Sequence, residues 1–172
     1  AVVPTDSEVV AFGRVFEAGV TDLSTVTDAH PLLLAEAAFG PWGTDPSINA
    51  TGWVTVVAAP NLGWEDASDP GNDEYAATFP APPASPDAYA LAFRFSADGG
   101  LTWTWCDLDT GVEGEDGAAN GYQAEHAGSL LSTTGPCDPN PCTAPPSSTC
   151  EGDMLMTWQD PGTCTETGGL DT

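Results

Sequence analysis

The sequence predicts an all-β protein: an antiparallel sandwich followed by an irregular C-terminal tail. Three observations carry this. From Glu8 to Leu108 short apolar runs are separated by clusters of Gly, Pro, Asp and Asn, with no 3.6-residue stripe of helical length. The run YALAFRFS alternates cleanly, Tyr89, Leu91, Phe93 and Phe95 sharing one face and Ala90, Ala92 and Arg94 the other, so the aromatic face is expected to be the core face. After Gly135 the composition turns to PCDPNPCTAPPSSTC, where five prolines and three cysteines leave too few apolar residues for a core.

Strands are expected over 8–17 (EVVAFGRVFE), 32–39 (LLLAEAAF), 52–59 (GWVTVVAA), 74–79 (EYAATF), 87–96 (DAYALAFRFS), 101–107 (LTWTWCD) and 128–134 (GSLLSTT). Each is bounded by turn residues. The second could equally open a short helix, because three leucines and the alanines around Glu36 suit either state. Seven strands in roughly 130 residues match an immunoglobulin-like or fibronectin-III-like sandwich. The domains expected are a sandwich over 1–135 and a disulfide-stapled tail over 136–172.

Twenty-six acidic residues face two basic ones, Arg14 and Arg94, and there is no lysine; the formal charge is −24. Such a chain repels phosphate backbones and anionic headgroups, so nucleic acid is not an expected partner and cations are. No apolar run approaches the 18 or so residues of a membrane span. Four of the five cysteines fall in the last 36 residues, the usage of an oxidising compartment, and the sequence reads as a mature, secreted chain relieved of its signal peptide.

The octapeptide SADGGLTW, with Ser96, Asp98, Gly100, Thr102 and Trp103, resembles the Asp-box of sialidases and related β-proteins. The resemblance implies a hairpin turn: the aspartate bonds turn amides, the glycines take positive φ and the tryptophan packs beneath. It does not extend to sialidase activity, since those sites clamp a carboxylate with three arginines and this chain has two in all. More broadly, G-R-V-F, GNDEYAATF, YALAFRFSADGGLTWTWCDLD and CDPNPC resemble modules of secreted bacterial surface proteins, in which sandwich and cysteine-rich pieces alternate. The W-x-W strand followed by an acidic loop is similar to starch- and glycan-binding sandwiches. CDPNPC also resembles the opening of an epidermal-growth-factor-like module, whose later C-x-C is missing here.

Long acidic loops are the natural place for a site. Asp107, Asp109 and Glu113, joined by Asp66, Asp69 and Asp73, offer the hard oxygens of a calcium site, against the alternative of plain solvated loops. The spacing is not that of an EF-hand, because Val112 and Ala118 stand where Gly and Glu are required. Zinc is disfavoured, as Cys137 and Cys142 have no second close pair and no nearby histidine. Cys106, Cys137, Cys142, Cys150 and Cys164 leave one cysteine odd, and pairing within 137–164 would leave Cys106 as that thiol or as an anchor for the tail. Trp42 and Trp64 lie in loops and, with Trp105 and Tyr122, are candidates for a sugar-stacking platform. The alternative for Trp103 and Trp105 is to close the core beside Phe93 and Phe95.

No nucleophile, metal or organic-cofactor motif is legible, and His30 and His126 read as surface histidines. Asn49-Ala50-Thr51 is an acceptor sequon. The expected function is therefore non-catalytic: a secreted cell-surface module for adhesion or glycan binding, its partner a glycan or another surface protein. The alternative is a self-assembling structural subunit of an extracellular assembly, its acidic loops bridged by calcium.

Overall fold

The computed structural model describes residues 1–65, 71–108, 121–134, 149–151 and 154–156. It is all-β. The chain divides into two compact units, Ala1–Ser132 and Thr133–Thr172. The described strands are β1 (Val2–Pro4), β2 (Glu8–Val15), β3 (Leu34–Pro41), β4 (Val54–Pro60), β5 (Asp73–Pro80), β6 (Tyr89–Ser96), β7 (Thr104–Cys106), β8 (Gly128–Thr133), β9 (Thr149–Glu151) and β10 (Met154–Met156), with a 3₁₀ turn at Ala124–His126. Within the second unit β9 and β10 form an antiparallel hairpin, Cys150 opposite Leu155.

The first eight strands form one mixed, nearly closed sheet in the order β1-β8-β6-β3-β4-β5-β2, with β7 also on β6. β4 makes the corner: Val54 to Ala58 pair with β3, and Ala59 and Pro60 then pair with β5. One edge of β6 is shared, β8 lying beside Tyr89 to Leu91 and β7 beside Phe93 to Phe95. Ala1 donates to the Ser129 carbonyl at 2.6 Å and accepts from the Leu131 amide at 2.8 Å, the pattern of a parallel pair. The short β1 was not foreseen.

Alternation explains the core. Val9 and Ala11 of β2, Ala35 and Ala37 of β3, Tyr75, Ala77 and Phe79 of β5, Phe93 and Phe95 of β6 and Leu130 of β8 face inward and pack together. The aromatic face of YALAFRFS is thus the core face, as expected. Small residues bring strands close enough for rings to fill the interior: a Cβ on Gly13 would lie 2.5 Å from the Phe93 ring. Phe39 stacks on Phe79 at 5.2 Å and Tyr75 meets Phe95 edge-on at 6.1 Å. The ambiguity at 32–39 resolves as strand, because alternation sends Ala35, Ala37 and Phe39 inward while Glu36 stands opposite Arg94 on the outer face.

Candidate functional site

The outer face of the β4-β3-β6-β7 region carries a second aromatic layer. The register Phe93↔Cys106 and Arg94↔Trp105 turns Cys106 toward the core and Trp105 away from it. Arg94 lies under Trp103, 4.4 Å from the ring centre, and under Trp105 at 5.1 Å, while its guanidinium pairs with Glu36, Nε to Oε2 at 2.7 Å. The core reading of Trp103 and Trp105 is therefore corrected: both indoles lie over a half-buried arginine on the outside of the sheet.

Trp53 completes this layer, and the sequence reading missed it as a site residue. Its ring lies over Gly40, where any side chain would collide with it, and its Nε1 donates to Thr44 Oγ1 at 2.9 Å. Trp105 and Tyr122 meet it edge-on at 6.0 and 6.2 Å. The available signal was Gly40 inside a strand, which often marks a close approach by another group.

The four predicted platform residues are separated. Trp105 and Tyr122 belong to the layer on Trp53. Trp64 is covered by Arg14, 5.1 Å from its ring centre, and Arg14 also pairs with Glu74 at 3.3 Å. Trp42, 47% exposed, has no ring or cation contact among the described residues and lines an open groove of about 530 Å³ with Pro41, Ser85, Asp87, Ala88 and Tyr89. Cross-strand pairing of Pro41 with Tyr89 sets the groove floor, and Tyr89 Oη donates to the Pro83 carbonyl at 3.0 Å. An exposed indole beside a carboxylate and a hydroxyl can stack on a sugar ring and bond its hydroxyls.

Of the predicted calcium ligands, Asp66, Asp69, Asp109 and Glu113 lie outside the described residues. Asp73 and Asp107 are described, and among the described residues no three His, Cys, Asp or Glu side chains gather as a metal site. Both nevertheless carry a buried oxygen without a hydrogen-bond partner, Asp73 Oδ2 and Asp107 Oδ1. Asp73 Oδ1 accepts from the Asp28 amide at 3.0 Å and Asp107 Oδ2 from the Gln123 amide at 2.6 Å. Burial, seconded by the Asp28 charge, outweighs that amide bond and raises the Asp73 pKa. Tyr122 Oη and His126 Nδ1 are also buried and unpartnered; burial, then Asp45 and Asp107, pushes the Tyr122 hydroxyl up to about 12.

Cys106 is a free thiol, pushed up to about 11 by burial and then by Asp107. Cys137, Cys142 and Cys164 lie outside the described residues, and of Cys150 only the strand position is described. Among the described residues there is no disulfide. His30 sits in a turn, its Nδ1 accepting from the Leu32 amide at 3.3 Å.

The SADGGLTW turn is held by one carboxylate. Asp98 Oδ1 accepts from the amides of Leu101 and Thr102, both at 2.9 Å, and Oδ2 accepts from Thr102 Oγ1 at 2.7 Å. Ser96 Oγ donates to Asp98 and accepts from the Gly100 amide, while Gly99 and Gly100 take φ of 74° and 94°. The Thr102 bonds, amide then hydroxyl, lead in holding the Asp98 pKa down at about 2. A depressed carboxylate stabilises the fold above its unfolded pKa, near 3.9, and the contribution is lost as pH falls through about 2. Asp98→Ala is therefore expected to lower the Tm at neutral pH by a few degrees, with the gap to wild type closing toward pH 2 in calorimetric scans.

Comparison with family models, with curated proteins and with solved structures finds no match.

Proposed function

We propose that this chain is a secreted, non-catalytic module that binds a neutral glycan in the groove at Trp42. The observation that carries the reading is the free indole: in this structure Trp53, Trp64, Trp103 and Trp105 are engaged by other rings or by arginine, whereas Trp42 is open at the wall of a concave surface. Asp87 and Ser85 beside it supply an acceptor and a hydroxyl for sugar hydroxyls. A net charge of −24 selects against uronic-acid and sialic-acid chains. Affinity electrophoresis in gels containing soluble starch, mixed-linkage β-glucan or alginate tests it. Retardation by a neutral polysaccharide and not by alginate is expected, and Trp42→Ala should weaken it about tenfold or more with no change in Tm. Equal retardation of wild type and variant would refute the groove.

A second reading, the structural subunit with calcium-bridged loops, draws on the orphaned oxygens of Asp73 and Asp107. A buried carboxylate oxygen without a donor is what a cation would pair with. Calcium binding to the folded state is expected to raise the Tm over that in chelator by mass action, and Asp73→Asn with Asp107→Asn should abolish the difference. Coincident melting curves of the wild type in both conditions would count against it.

A further inference from the structure

We propose that β2 is a self-pairing edge, through which two copies of this chain join antiparallel about a two-fold axis at Ala11. This rests on neither ligand reading.

Strands β1 and β2 end the sheet order, and among the described residues nothing pairs with the second side of β2. Sheet edges are usually blunted by shortness, proline or lysine. β1 is three residues long and ends in Pro4. β2 has eight residues and no proline, and its charged residues, Glu8 and Arg14, stand toward its ends and leave Val9 to Gly13 uncharged. Its outer face also carries Val10 and Phe12, 52% and 56% exposed. The register Phe12↔Ala76↔Ala59 continues this apolar surface across the sheet toward Val57, itself 78% exposed.

The ladder fixes which backbone groups are offered. The Ala81 amide donates to the Ser7 carbonyl at 2.9 Å. In the β2–β5 register this makes Val9, Ala11 and Gly13 the residues that exchange bonds with β5, and directs the amides and carbonyls of Glu8, Val10 and Phe12 to the open edge. A second copy must therefore pair even-numbered residues with even-numbered ones. With Ala11 on the axis, Val10 meets Phe12 of the second copy and Glu8 meets Arg14 of the second copy, twice over. Moving the axis to Val10 or Phe12 keeps the backbone bonds but sets Glu8 opposite Phe12 or Phe16. Charge complementarity thus selects the Ala11 register. Arg14 keeps its contact with Glu74 and adds the second copy's carboxylate at its exposed side. Two chains of charge −24 repel as they approach, so the pairing needs screening and strengthens with salt.

Sedimentation equilibrium of the full chain over a concentration series, at low and at high sodium chloride, tests this. Expected is a monomer–dimer equilibrium whose dissociation constant falls as salt rises. Val10→Lys with Phe12→Lys, which alters only exposed side chains, should leave a monomer with wild-type circular dichroism. Glu8→Arg, which sets arginine against arginine at both ends, should weaken the dimer about tenfold. A wild type that stays monomeric at high salt and the highest concentration overturns the proposal, as does a dimer indifferent to the Val10/Phe12 double variant. A dimer lost in the double variant but untouched by Glu8→Arg overturns the register.

Discussion

Replacing Phe95 by alanine is expected to cost about 3–5 kcal/mol of folding stability, and replacing Trp105 by alanine markedly less. The two residues sit in neighbouring strands of one hairpin and look equally apolar in sequence, yet they lie on opposite faces of the sheet. Phe95 is buried against Tyr75 and Phe93 among the inward side chains of β2, β3 and β5, and its removal leaves a cavity that strands on both sides must hold open. Trp105 is half-buried, and water can enter the space it leaves over Arg94. Urea denaturation of the two variants checks the order, and a larger loss for Trp105→Ala would place the core on the wrong side of β6.

Substituting Gly40 by valine has the second largest expected effect, about 1–3 kcal/mol from overpacking. Gly40 faces outward in the middle of the sheet, and the Trp53 ring occupies the volume its Cβ would need. The displaced indole loses its bond to Thr44 and its edge contacts with Trp105 and Tyr122. Chemical denaturation gives the loss, and a red-shifted tryptophan emission should accompany it. A variant with unchanged stability and emission would show that Trp53 is not seated on Gly40.

Much of this architecture was legible because strand alternation is a strong signal. YALAFRFS announced both its strand and its inward face. The relative phase of β6 and β7 was not legible. Side chains repeat every two residues, so a one-residue difference in how the 97–103 connection closes exchanges the two faces of TWTWC. Nothing in the local pattern states whether Arg94 will stand opposite Trp105 or Cys106. Trp42, Trp64, Trp105 and Tyr122 share a chemistry in the sequence, whereas their positions in the fold separate them. Trp53 reads in the sequence as the opening of a strand, and its place is decided by Gly40 on a different strand. The acidic loops gave composition without pairing, and only burial singled out the two oxygens of Asp73 and Asp107 that lack a donor.

Among the described residues the Trp42 indole stands open beside the groove proposed to bind a ligand, while those of Trp53, Trp64, Trp103 and Trp105 are engaged by other rings or by arginine. The most direct measurement is a ¹⁵N–¹H spectrum of the indole Nε1–H signals, assigned by single Trp→Phe variants and followed during titration with a soluble neutral glucan. The Trp42 signal is expected to move in a saturable way while those of Trp53, Trp64, Trp103 and Trp105 stay in place. Movement of the Trp53 and Trp105 signals with Trp42 unchanged would contradict the account and transfer the site to the outer aromatic layer.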